Sequence, residues 1–174
     1  VIESSYPRSS GYPGRIYLND DKFIPGLGRL VEAVHKEGAK IVCEVNPHRG
    51  RNDEHDPASA SNIPHPFTGI VPRPLSVPEI KRLEEDLGQG VRRVKEAGFD
   101  GVMIHGSSGY LVSEFLSPLI NKRTDEYGGD IKRRARLALE LVEVAKDYAG
   151  IDYPIIFRLT ADDKLQGGFG VKDA

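Results

Sequence analysis

Apolar residues along this chain recur with two alternating periods. From Phe23 to Glu37 they fall at Ile24, Leu27, Leu30, Val31 and Val34, the i, i+3, i+4, i+7 spacing of a helix with one buried face. Gly38 ends that pattern. Ala39 to Val45 then reads as a strand, short, rich in β-branched residues and bounded by Gly38 and Asn46-Pro47. The sequence Ser76-Val77-Pro78-Glu79 is a capping-box pattern, in which a hydroxyl and a carboxylate satisfy amide donors left free in a first helical turn. It predicts a helix to about Ala97 with Ile80, Leu83, Leu87, Val91 and Val94 on one face. Gly98 stops it, and Asp100 to Ile104 forms the second clear strand. A third helix is predicted from about Asp130 to Ala149, with Ile131, Ala135, Ala138, Leu141, Val142 and Ala145 inward, followed by the strand Ile155 to Leu159.

The intervening stretches lack periodicity. Residues 46 to 75 are rich in Pro, Asn, His, Ser and Gly, and a loop of that length inside a compact domain is usually functional or mobile, so it is expected to lie over a site. HGSSGYL, residues 105 to 111, reads as a turn beyond the second strand, leading into an irregular segment to Gly129.

Three αβ units imply parallel strands with right-handed crossovers, hence an α/β fold that is either a (β/α)8 barrel or an open doubly wound sheet. No GxGxxG or Walker sequence follows any strand, which weakens the nucleotide-binding open sheet. The polar residues favour the barrel. Glu44 lies inside one strand, His105 closes the next and Arg158 lies in the third, and barrel strand ends converge on one site at the C-terminal face.

Composition narrows the partners. With 174 residues, 39% of them hydrophobic, the chain can bury the core of one domain. Lys plus Arg number 24 against 26 Asp plus Glu, so no positive excess points to nucleic acid or to a membrane surface, and a small molecule is the expected partner. Cys43 is the single cysteine, which excludes an internal disulfide and a Cys-based metal cage and fits a reducing, cytoplasmic setting. No metal ligands are assigned. No apolar run approaches the roughly 20 residues of a membrane span, and VIESSYPRSS lacks the regions of a signal peptide. The chain opens on Val1-Ile2 and closes on GVKDA, where a helix is starting, so residues 1–174 are expected to be one partial domain of a larger chain.

The candidate side chains each carry two readings. His105 is equally a ligand-facing imidazole or a satisfied strand end. Tyr110, on a glycine-containing turn beyond the strand, is a proton donor in a cleft or a packed ring with a wet hydroxyl. Arg158, a guanidinium within an apolar strand, needs an anion or a strong acceptor to offset desolvation, and Glu44 is one such partner. The segment Asn121 to Gly129 reads as a solvated loop with Asp130 as helix N-cap. Lys132, Arg133, Arg134 and Arg136 read as a solvated helix face. These residues alone leave open a cofactor-free lyase or isomerase using Tyr110 and His105 for proton transfer.

The segment GFDGVMIHGSSGYLVSEFLSPLINKRTDEYGGDIKRRAR resembles the signature region of the Old Yellow Enzyme family of FMN-dependent ene-reductases, in the branch of 2,4-dienoyl-CoA reductase and 2-enoate reductase. SPLINKRTDEYGG is its most specific portion, and the likeness extends through FIPGLGRLVEAVHKEGAKI, RPLSVPEI and FRLTADD. The resemblance implies approximately the second to fifth strands of a (β/α)8 TIM barrel. It implies FMN on the C-terminal face, NAD(P)H as reductant and a small-molecule activated alkene as substrate, with an iron-sulfur cluster only in a missing C-terminal part. A homo-oligomer is compatible with it. Tyr110 matches the tyrosine that protonates the α-carbon, and His105 the first of two residues that bond the substrate carbonyl oxygen. The second, His or Asn in the family, is Ser108. Arg158 matches the arginine near flavin N1 and O2, Ser4 falls where a backbone group meets the flavin edge, and Glu44 stands where the family has a glutamine on the flavin pyrimidine. With these departures a non-catalytic relic of an ene-reductase is a further reading.

Overall fold

The computed structural model describes residues 1–7 and 14–174, and of Glu3, Ser4 and Ser5 the backbone alone. In chain order the elements are β1 (Ile2–Ser5), α1 (Ile24–Lys36), β2 (Val42–Val45), β3 (Ala58–Ser59), β4 (Arg73–Pro74), α2 (Val77–Glu96), β5 (Gly101–Gly106), α3 (Leu111–Leu116), α4 (Ile131–Arg134), α5 (Arg136–Ala149) and β6 (Ile155–Leu159). One sheet has the order β1-β2-β5-β6, with β2 parallel to both β1 and β5. The helix between each pair of strands follows from that direction, since a parallel return needs a crossover. The chain forms two compact units.

The first unit comprises Val1–Pro47, Arg82–His105 and Leu141–Phe157. Its core is built from Leu27 and Val31 of α1, Cys43 and Val45 of β2, Leu87, Val91 and Val94 of α2, and Val102 and Ile104 of β5, all buried. Leu30, placed on the inner face of α1 by its spacing, is instead 38% exposed. At Gly88 helix α2 passes so close to Tyr148 that a Cβ would lie 2.5 Å from its ring, so only glycine permits the approach. Asp100 joins α1 to the start of β2: it accepts from Lys40 Nζ at 2.7 Å and from the Ile41 amide at 2.8 Å, and its other contact is His35 Nε2 at 2.8 Å.

The second unit comprises His48–Lys81, Gly106–Glu140 and Arg158–Ala174. The long loop is not featureless here, because β3 and β4 pair in parallel and tie its middle to its C-terminal end. At the start of α2 the Glu79 carboxylate accepts from the Ser76 amide at 2.8 Å, half of the predicted capping box, while the Ser76 hydroxyl donates to the same carboxylate rather than capping an amide. Helix α3 was not anticipated, since six residues are too few for a period to declare itself. The predicted third helix is interrupted at Ala135, and its buried stripe runs through Arg134, Leu137, Leu141, Ala145 and Ala149. A stripe led by Leu137 removes more apolar area from water than one led by Ala138.

Two expectations of solvated charge are corrected. Arg134 is 7% exposed, with Nε donating to the Leu116 carbonyl at 2.8 Å and a second nitrogen to the Gly129 carbonyl. Within Asn121 to Gly129, Tyr127 is buried edge-on against Phe115, its hydroxyl donating to Glu140 at 2.8 Å. The Arg123 guanidinium lies 5.6 Å from the Phe115 ring and pairs with Asp125. A Cβ on Gly128 would overlap the Arg123 carbonyl. Asp130 does cap α4, accepting from the Arg133 amide at 3.0 Å.

Candidate active site

Alternation along β2 sends Cys43 and Val45 to one face and Glu44 to the other. The register sets Glu44 opposite Met103 and Val45 opposite Ile104, so His105, two residues beyond Met103, shares a face with Glu44 one step along the sheet. Their side chains meet, His105 Nδ1 to Glu44 Oε1 at 2.9 Å, with the residues 4% and 6% exposed. An ionised carboxylate only accepts, so Nδ1 carries the hydrogen and the ring is held at a fixed angle. Glu44, weighed from sequence as a partner for Arg158 or for a flavin, is here bonded to His105.

One residue beyond β2 lies a group that sequence reasoning passed over. Asn46 is fully buried, and neither its Oδ1 nor its Nδ2 finds a partner among the described residues. The signal was present in the spacing: Asn46 is i+2 from Glu44, and Pro47 keeps the preceding residue out of the helical region, so the chain leaves β2 extended. Buried amides are almost always hydrogen-bonded, which marks this one as a position built for something else.

In the second unit the turn Ser107–Tyr110 carries positive φ at both central residues, 59° at Ser108 and 71° at Gly109, and closes with the Tyr110 amide donating to Ser107 O at 3.2 Å. The positive φ at Ser108 is a strained choice for a residue with a Cβ. Ser108 is exposed; its amide donates to Thr160 Oγ1 at 3.1 Å, which ties the turn to the chain two residues past Arg158. The long loop braces the other side, with Asn52 Nδ2 donating to Gly109 O at 2.8 Å and the Leu111 amide to His48 O at 3.4 Å. Tyr110 is half-buried at the N-cap of α3, its carbonyl accepting from Ser113 Oγ at 2.8 Å.

Arg158 lies on β6, the last strand of the sheet this chain contributes, and is exposed there. The backbone of Ser4 lies in β1, and its side chain is outside the described residues. An ion pair that the sequence did not announce lies below the turn. Glu114 is fully buried, accepts from the Arg51 amide at 3.0 Å and from Arg51 Nε at 3.1 Å, and burial raises its carboxyl pKa above the usual range.

The sequence model of the NADH:flavin oxidoreductase / NADH oxidase family matches residues 2–174. The chain belongs to this family. It is 38% identical over 173 residues to the NADH oxidase of Thermoanaerobacter brockii, covering 96% of this chain and 26% of that protein. Among solved structures, a 2-naphthoyl-CoA reductase in complex with 2-naphthoyl-CoA superposes with a TM-score of 0.91 at 27% identity, covering 98% of this chain and 29% of that one. The Old Yellow Enzyme homologue of Zymomonas mobilis gives 0.82 at 28%, covering 98% and 52%. The chain thus spans about a quarter to a half of the relatives it matches, and its sheet is part of the (β/α)8 barrel of the Old Yellow Enzyme fold. FMN and NAD(P)H are the cofactors that go with this family. The residues present fit a flavin: Asn46 holds an unused buried donor and an unused buried acceptor near the end of β2, as the heteroatom edge of an isoalloxazine requires. No helix among the described residues is long and apolar enough to cross a membrane.

Proposed function

We propose that the protein to which this chain belongs is a cytoplasmic enzyme that reduces an activated, carbonyl-conjugated C=C bond of a small molecule with electrons from NAD(P)H. The observation that carries this reading is the run His105 to Tyr110, in which an imidazole held by a buried carboxylate is followed within five residues by a phenol set at a helix N-terminus by a braced turn. FMN, when bound, supplies the hydride that adds to the β-carbon.

The chain's own residues hold and protonate the substrate. His105 Nε2 donates to the carbonyl oxygen and draws charge onto it, which makes the β-carbon electrophilic. On the other side of the ring the Nδ1 contact with Glu44 holds the imidazole in place. Ser108, exposed at the crest of the turn, offers a further hydroxyl donor. Tyr110 delivers a proton to the α-carbon after hydride has arrived, and Arg158 offsets negative charge gathering on the reduced cofactor.

The test is spectroscopic and uses the full-length protein. It should show a visible flavin absorption that NAD(P)H bleaches without oxygen and that a small cyclic enone restores. Absence of the flavin band, or bleaching that oxygen reverses and no enone does, would overturn the reading.

A further inference from the structure

Residues 48–52 of the long loop meet the segment around Tyr110 at three points. The His48 carbonyl accepts from the Leu111 amide at 3.4 Å, and Asn52 Nδ2 donates to the Gly109 carbonyl at 2.8 Å. Between them Glu114 Oε1 accepts from both the amide and Nε of Arg51, at 3.0 and 3.1 Å. Tyr110 lies inside this frame, one helical turn before Glu114, whose amide donates to the Tyr110 carbonyl at 3.0 Å. We propose that Glu114 and Arg51 are positioning residues for Tyr110, their buried ion pair holding the loop against α3 so that the phenol meets the substrate α-carbon. This inference rests on the reading of Tyr110 as proton donor given above.

A buried ion pair adds little net stability, since desolvation of both charges offsets their attraction, whereas it strongly fixes direction. Arg51 and Glu114 are 8% and 0% exposed. One carboxylate oxygen takes the backbone and the side chain of the same residue, and Arg51 Nη1 goes on to the Pro64 carbonyl at 2.9 Å, so the guanidinium is held at both ends. The approach is built into the backbone as well. Gly50 has φ 66°, and a Cβ there would overlap the Glu114 carboxylate, so only glycine lets the carboxylate rest against the loop. Catalysis is sensitive to such placement, because a reacting group displaced by about 1 Å loses about 10²-fold in rate.

The experiment is a double-mutant cycle in the full-length flavoprotein, with flavin reduction by NAD(P)H and reoxidation by a cyclic enone timed separately. Glu114→Gln keeps the size of the side chain and an acceptor oxygen but removes the charge. It is expected to slow reoxidation roughly 10- to 100-fold and to leave flavin content and flavin reduction nearly unchanged. Arg51→Lys keeps a positive charge and the backbone bond to Glu114 but loses the planar fork, and should show the same pattern; it carries the test should Glu114→Gln not fold. In a Tyr110→Phe background each substitution is expected to add almost nothing, because residues that act through one group are not additive. A 19F resonance from fluorotyrosine placed at position 110 should be single in wild type and shifted or broadened in both variants. Equal slowing of the two half-reactions, or a full further loss in the Tyr110→Phe background, would assign the pair to structure alone and defeat the inference. Reoxidation as fast in both variants as in wild type, with Tyr110→Phe slow, would defeat it while leaving the role of Tyr110 standing. Tyr110→Phe as fast as wild type would remove the proton-donor reading and this inference together.

Discussion

Glu44 Oε1 and His105 Nδ1 lie 2.9 Å apart, joining β2 to β5 across 61 residues of sequence, and both side chains are buried. That contact makes Glu44 a positioning residue: it accepts from His105 Nδ1–H and fixes where the ring points. In the full-length protein, 15N spectra of labelled histidine should show His105 Nδ1 protonated. Glu44→Leu should lose that signature and slow alkene reduction roughly 10- to 100-fold, the worth of a hydrogen bond to a charged group. Glu44→Gln keeps an acceptor for Nδ1–H and should restore the Nδ1–H signal while recovering only part of the rate. A His105 spectrum identical in Glu44→Leu and wild type would show that the contact does not hold the Nδ1 hydrogen.

Tyr110 sits at the N-cap of α3, where its carbonyl accepts from Ser113 Oγ. Tyr110→Phe keeps that backbone bond and should fold as wild type does. Flavin reduction by NAD(P)H should be nearly unchanged, and reoxidation by an alkene should slow by about 10²- to 10⁴-fold, the usual worth of general acid catalysis. Equal losses in the two half-reactions would assign the tyrosine to structure.

Asp100 supplies a pH dependence. The Lys40 ammonium, then the Ile41 amide and His35, hold its carboxyl well below the usual carboxylate range. A depressed folded-state pKa means that the unfolded chain binds the proton more readily, so the stabilisation is fully present above the unfolded value of about 3.9 and is lost as pH falls toward the folded value. Asp100→Asn should lower the melting temperature at pH 7, and the gap from wild type should close progressively below about pH 4. Added salt should narrow it as well, because the Lys40 partner is exposed. A gap that stays constant from pH 7 to the acid limit would mean that the carboxylate charge contributes nothing.

The signature SPLINKRTDEYGG illustrates how recognition and physical reading diverge. Its charges looked solvated because charge runs usually are, yet Arg123 lies over the rings of Phe115 and Tyr127, and Asn121 spends its amide nitrogen on the carbonyls of Phe115 and Tyr127. Its specificity as a motif thus comes from packing around a tight approach at Gly128, which composition does not reveal.

By itself the sequence determined the alternation of helices and strands, the inward face of α2, the stops at Gly38 and Gly98, the cap at Asp130 and the family. These are short-range properties, written in 3.6- and 2-residue periods and in turn chemistry that each segment carries wherever it is placed. The tertiary structure decided that Glu44 belongs to His105, that Arg134 is buried, and that Asn46 has no partner among the described residues. Those outcomes depend on the register between strands some sixty residues apart and on which element covers which face. No local period encodes either one, because a buried polar group is satisfied by whatever the fold brings to it.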